Sequence, residues 1–75
     1  MYMMWFDDNT KKTVGAKIEE AVAAYVHHFK TRPNVVLVNE ADLVSPINGV
    51  RVRSASYIRR HNFWVGWEDP ASVAA

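Results

Sequence analysis

Three of the four segments with strand character are apolar on both faces, whereas only one segment has the pattern of a helix. The three are residues 1–6, 35–38 and 63–67. Continuous apolar runs of this length are typical of strands buried on both sides. One helix covers one face of a sheet, so this chain carries more apolar strand surface than its own helix can bury.

The helix signal lies between residues 14 and 29, where apolar side chains recur with the i, i+3, i+4, i+7 spacing of one helix face. That stripe consists of Val14, Ile18, Ala21, Val22, Tyr25, Val26 and Phe29. The opposite face is predicted to hold Lys17, Glu20, Ala24 and His27. The N-cap is left open among Asp8, Asn9, Thr10 and Thr13, which all offer suitable oxygens. Pro33 ends the helix, because the residue before a proline avoids the α region.

Residues 50–56 alternate with period two and carry Arg51 and Arg53 on one side, which indicates a half-exposed strand. The element order is therefore β-α-β-β-β. We predict an α+β fold in two layers, with a small mixed four-stranded sheet and the amphipathic helix packed on one face. The first two strands should run parallel, and the last two should pair as an antiparallel hairpin.

A chain of 75 residues predicts one domain, here residues 1–69, followed by a flexible tail at residues 70–75. The absence of cysteine excludes disulfides and thiolate metal sites. The net charge of +1 argues neither for nor against nucleic acid. The apolar start is too short for a signal peptide, and no apolar run is long enough to cross a membrane. We expect a cytoplasmic protein with no cofactor and no membrane association.

The excess apolar surface predicts a partner. A four-stranded face of roughly 380 Å² is near the size at which exposed apolar surface marks an interaction site. A symmetric homodimer is the commonest solution. A different protein partner, or loops and the tail folding back over the face, are the alternatives. Both alternate sets of side chains are apolar, so the set that faces the helix is left open. The candidate interface residues are Met3, Trp5, Val36, Val38 and Trp64.

A second group of residues is basic and lies near aromatic side chains in sequence. It consists of Arg51, Arg53, Arg59, Arg60 and His61. Arginines beside aromatic residues on a sheet can follow phosphates and stack on bases, so this group is a candidate nucleic-acid contact. The alternative, which we favour, is that the charges of the third strand protect the edge of the sheet from aggregation.

Acidic and amide side chains follow the first two strands: Asp7, Asp8, Asn39, Glu40 and Asp42. Oxygen ligands at the carboxyl ends of parallel strands could bind Mg²⁺ and support a phosphodiester hydrolase. We favour helix capping and turn formation as their role, because strand ends require such residues. His27 and His28 point about 100° apart on a helix and cannot clamp one metal.

Catalysis is disfavoured, because one helix on a small sheet should leave little room for a pocket of about 300 Å³. The leading prediction is a small non-catalytic binding or assembly module that self-associates through its apolar sheet surface. The alternatives are a nucleic-acid-binding accessory protein that uses residues 51–61, and a metal-dependent hydrolase with acids at the strand ends.

Overall fold

A computed structural model describes residues 2–69 as one α-helix packed on a four-stranded mixed sheet, which confirms the predicted α+β fold. The elements in chain order are β1 (Tyr2–Phe6), α1 (Val14–Phe29), β2 (Val35–Val38), a 3₁₀ turn (Glu40–Asp42), β3 (Arg51–Ser54) and β4 (Asn62–Gly66). The predicted tail at residues 70–75, and Met1 of the first predicted strand, lie outside the described residues. Within residues 2–69, no helix combines the length and the apolar character needed to span a membrane.

Helix α1 begins at Thr13, whose hydroxyl oxygen accepts a hydrogen bond from the Ala16 N–H at 3.0 Å. It ends at Lys30, which adopts a left-handed φ of 61° and donates its N–H to Val26. Most of the predicted stripe packs on the sheet, with Ile18, Ala21 and Tyr25 buried, but Phe29 at its end is exposed. Lys17 was predicted on the polar face, but it is buried. The physical reason is its position four residues before the buried Ala21, which places it on the same side of the helix.

The strand order is β1-β4-β2-β3, with β4 antiparallel to both of its neighbours and β3 parallel to β2. The prediction of a β3–β4 hairpin is therefore wrong. Strand β4 is apolar on both faces and takes a central position, where both faces can be covered. Strand β3 carries Arg51 and Arg53 and takes an edge, where their charges reach water.

The two faces of the sheet are buried by different segments. The cluster beneath α1 consists of Ile18, Ala21, Tyr25, Val36, Val38, Val50, Phe63 and Val65. On the other side, Val35 and Leu37 pack with Ile58 of the 55–61 connection. A loop thus folds over part of the face that the helix leaves uncovered. This is the loop part of the alternative in which loops and the tail cover that face.

A two-residue turn at Asn48–Gly49 returns the chain into β3, as the Asn-Gly pair predicts. Both residues have positive φ, 49° and 79°. Ile47 and Val50 exchange two backbone hydrogen bonds of 3.0 and 2.8 Å across the turn. The turn lies on the helix side of the sheet, since Val50 belongs to the cluster beneath α1 and Ile47 packs against that cluster.

Candidate functional site

The candidate site is the open face, defined as the side of the sheet opposite α1. Strand register fixes which side chains share this face. Met4 lies beside Trp64, Trp64 beside Leu37, and Leu37 beside Arg53, in one row across all four strands. Phe6 lies two residues beyond Met4, on the same face.

An apolar area remains exposed on this face beyond the cover provided by Ile58. We call it the outer patch; it consists of Met4, Phe6, Tyr57 and Trp64. The first three are 71%, 62% and 60% exposed, respectively. The rings of Tyr57 and Trp64 are 5.4 Å apart, and with Met4 they border a shallow depression of about 210 Å³. The patch is therefore continuous from edge strand β1 to the 55–61 connection.

The structure divides the predicted interface residues between the two faces. Met3 and Trp5 pack against the cluster beneath α1, and Val36 and Val38 are fully buried within it. These four residues therefore do not line the open face, and only Trp64 does. The reason is register, because the odd-numbered residues of β1 and the even-numbered residues of β2 point toward the helix. Self-association itself stays a prediction.

The other two tryptophans also differ from Trp64 in their surroundings. Trp5 lies on the helix side, and its indole N–H is buried without a hydrogen-bond partner in the part of the chain that is described. Trp67 follows β4 and is 53% exposed. Of Trp5, Trp64 and Trp67, Trp64 is therefore the one placed within the outer patch.

Glu68 lies on the open face and accepts hydrogen bonds from side chains of both edge strands. Its carboxylate accepts hydrogen bonds from the Tyr2 hydroxyl at 2.9 Å, from Arg51 at 3.4 Å and from Arg53. The Asn34 side chain holds the Glu68 backbone through bonds of 2.7 and 2.8 Å. Burial and the bond to Glu68 raise the pKa of Tyr2. Both arginines are thus engaged with a carboxylate.

The remaining predicted nucleic-acid contacts lie in the 55–61 connection and have separate environments. Arg60 donates to Asp42 at 3.1 Å, and the His61 N–H donates to the same carboxylate at 3.0 Å. Arg59 borders the depression beside Tyr57 and Trp64. The five basic residues therefore divide into three groups by their partners: two pair with Glu68, two are held by Asp42, and Arg59 adjoins the outer patch.

The acidic strand-end residues have structural partners. Asp7 accepts from the Asn9 N–H at 3.0 Å and from the Lys12 ammonium at 3.3 Å, and these bonds lower its pKa. Asp42 is buried against residues 60 and 61. The Asn39 side chain donates to the Ile58 carbonyl at 2.8 Å. Among residues 2–69, no group of three acidic or histidine side chains is placed to bind a metal ion.

A groove of about 590 Å³ lies on the helix side, between the second half of α1 and the Asn48–Gly49 turn. The sequence predicted little room for a deep pocket, and this groove is open to solvent although its volume is larger than the usual minimum for a ligand pocket. The lining combines apolar and polar side chains: Glu19, Val22, Ala23, Val26, His27, Arg32, Ile47, Asn48 and Val50. The turn forms one wall of the groove through Ile47, Asn48 and Val50. The Asn-Gly pair in the sequence is typical of a turn but carries no information on its distance from the helix.

Sequence reasoning also missed the roles of Glu68, Met4 and Phe6. A signal for each was present. Alternation along the last strand places Glu68 on the same face as Trp64, and alternation along the first places Met4 and Phe6 together. The sequence alone does not reveal the strand order that brings these two sets of side chains next to each other.

No protein-family model matches the chain, and no curated protein or solved structure matches it. The geometry of the open face is therefore the basis for a functional assignment.

Proposed function

We propose that this protein is a small non-catalytic binding and assembly module that self-associates through its open face. The observation that carries the proposal is the outer patch, which combines a half-buried Trp64 with three large side chains that are more than half exposed. Continuous exposed apolar patches on small domains commonly mark interaction sites. Aromatic residues and methionine are also the types enriched at protein interfaces.

The surroundings of the outer patch favour burial against protein. Arg59 lies at its margin, and Arg53 is paired with Glu68 on the same face. An apolar centre with a polar rim is the usual anatomy of an interface. These charged side chains at the margin remain in contact with water when a partner buries the centre of the patch, so binding does not incur a large desolvation cost.

The proposal predicts that removing one apolar side chain from the outer patch weakens self-association. Phe6→Ser should shift the dimer dissociation constant upward by roughly tenfold or more, since a buried aromatic side chain contributes about 1.5–3 kcal/mol. Sedimentation velocity over a concentration series measures the shift. Leu43→Ser is the matched control, because Leu43 is 49% exposed and lies outside the patch. Equal association of both variants and the parent would contradict the proposal.

A second candidate function is single-stranded nucleic-acid binding, for which the specific observation is the Tyr57–Trp64 pair beside Arg59. Exposed aromatic rings stack on bases, and arginine contacts phosphates. Tryptophan fluorescence, titrated with single-stranded RNA and DNA at low salt, tests it.

Glu68→Gln sharpens that test, because it removes the carboxylate that pairs with Arg51 and Arg53. If nucleic acid binds here, this variant should bind more tightly and with a steeper dependence on salt, because more phosphate contacts release more counterions. Flat titrations for both the parent and the variant would eliminate this candidate. We do not extend the proposal to a metal-dependent hydrolase, because Asp7 and Asp42 are engaged by Lys12 and Arg60.

A further inference from the structure

The two edges of the sheet differ in how they are protected. Strand β3, at one edge, carries Arg51 and Arg53. Strand β1, at the other edge, reads Tyr-Met-Met-Trp-Phe, with neither a charge nor a proline. Natural sheets normally protect exposed edges with charges, prolines, bulges or covering loops. Within residues 2–69, β1 has β4 on one side and no strand on the other.

The backbone of β1 shows which residues present hydrogen-bonding groups to this open edge. The Asp7 N–H donates to the His61 carbonyl at 3.0 Å, which continues the register of β1 on β4. In an antiparallel ladder, alternate residues bond the same neighbour, so Met3 and Trp5 bond β4 as Asp7 does. Tyr2, Met4 and Phe6 consequently direct their N–H and C=O groups to the open edge.

An independent hydrogen bond supports this assignment. The Asn34 N–H donates to the Gly66 carbonyl at 3.0 Å, so Gly66 bonds toward β2. By alternation, Phe63 and Val65 bond toward β1. Their partners in the register are Trp5 and Met3. The residues that direct their backbone groups to the open edge are therefore the same ones whose side chains lie on the open face.

We infer that β1 pairs antiparallel with β1 of a second copy, about a twofold axis at Met4. This inference rests on the proposed self-association and narrows its contact to the β1 border of the open face, where Met4 and Phe6 lie. Met4 then lies opposite the partner's Met4, and Tyr2 lies opposite the partner's Phe6. Each of these pairs exchanges two backbone hydrogen bonds, because all of these residues face the edge. The two sheets join into one continuous sheet of eight strands.

The twofold axis explains why a second copy fits this edge. It runs perpendicular to the sheet, so both open faces lie on one side and both helices on the other. Side chains opposite one another across an antiparallel pair have Cβ atoms about 4.5–5.5 Å apart. Met4 and Phe6, which are 71% and 62% exposed, therefore gain apolar neighbours from the partner. Self-pairing of β3 would instead bring arginines together, and facing like charges destabilise a sheet.

A cysteine cross-link tests the register directly, because the chain contains no cysteine. Met4→Cys should form a covalent dimer under mild oxidation, since facing hydrogen-bonded residues have Cα atoms about 5.5 Å apart, within the range of a disulfide. Arg53→Cys, on the opposite edge, and Leu43→Cys, which is exposed away from β1, are the controls. We expect several-fold more covalent dimer from Met4→Cys than from either control. Equal yields from all three would overturn the inference.

A second variant separates edge pairing from association in general. Met4→Pro removes an N–H that faces the open edge and takes no part in the ladder with β4, so the fold should persist. We expect Met4→Pro to be monomeric and Met4→Leu to remain associated, with far-ultraviolet circular dichroism and amide spectra unchanged in both. Slow hydrogen exchange at the amides of Tyr2 and Phe6 should accompany association and be lost in Met4→Pro.

The remaining outcomes also decide the question. If Met4→Pro unfolds, the cross-link and the exchange rates of the parent protein still test the pairing. If the parent and Met4→Pro associate equally, the edge inference fails while the proposed function stands. If the parent is monomeric at every concentration, both fail. Slow exchange of the Tyr2 and Phe6 amides in a monomer would show that the edge is covered within one chain, and it would also overturn the inference.

Discussion

At the scale of single residues, the carboxylates of this chain hold loops in place. Asp7 accepts the Asn9 N–H after β1, and buried Asp42 accepts both Arg60 and the His61 N–H. Glu68 likewise gathers Tyr2, Arg51 and Arg53. Asp7 and Asp42, two of the acidic residues that suggest a metal site in the sequence, therefore act as acceptors that fix the backbone and pair with cations.

Asp7 makes stability depend on pH in acid. The Asn9 N–H, followed by the Lys12 ammonium, lowers the pKa of Asp7 below its ordinary value of 3.8. A folded-state pKa below the unfolded value contributes stability above pH 3.8 that is lost as the pH falls through the folded-state pKa. We expect Asp7→Asn to be less stable than the parent at neutral pH, with a difference that shrinks below about pH 4. Urea unfolding across a pH series measures this, and a difference independent of pH would contradict it.

At the scale of elements, the helix and the strands could be predicted, but their arrangement could not. The sequence pattern is sufficient to predict α1, because the apolar stripe and the terminating Pro33 both lie within one continuous segment. Strand pairing depends on which arrangement of the segments buries the most apolar surface. In this chain β4 lies between β1 and β2 rather than beside β3. Register also decides which alternate set of side chains faces the helix, which the sequence left open and which places Val36 and Val38 beneath α1. The rule that strands apolar on both faces become central holds for β2 and β4 and fails for β1.

The 55–61 connection is the element that covers the open face, and Asp42 anchors it. His61 adopts a left-handed φ of 68° and is held on both sides, by its N–H to Asp42 and by its carbonyl to Asp7. We expect Asp42→Ala to lower the free energy of unfolding by about 1–3 kcal/mol, because it leaves a backbone donor without its acceptor. Arg60→Ala keeps the acceptor of the His61 N–H but leaves the buried Asp42 carboxylate without its cation, so it should also lower the free energy of unfolding. Urea unfolding measures both losses, and an unchanged stability of Asp42→Ala would argue against the anchoring role.

At the scale of the whole molecule, the excess of apolar strand surface is resolved only in part. The helix covers one face, and Ile58 covers Val35 and Leu37 on the other. What remains exposed lies around β1, the strand that is apolar on both faces and yet occupies an edge. Edge pairing with a second copy would place β1 at the centre of a larger sheet, where a strand of this composition normally lies.

Sedimentation equilibrium of the unmodified protein, from low to high micromolar concentration, tests the central claim of self-association most directly. The account predicts a mass that rises above the 8.6 kDa of one chain toward twice that value. A mass that stays at 8.6 kDa across the whole range would contradict it.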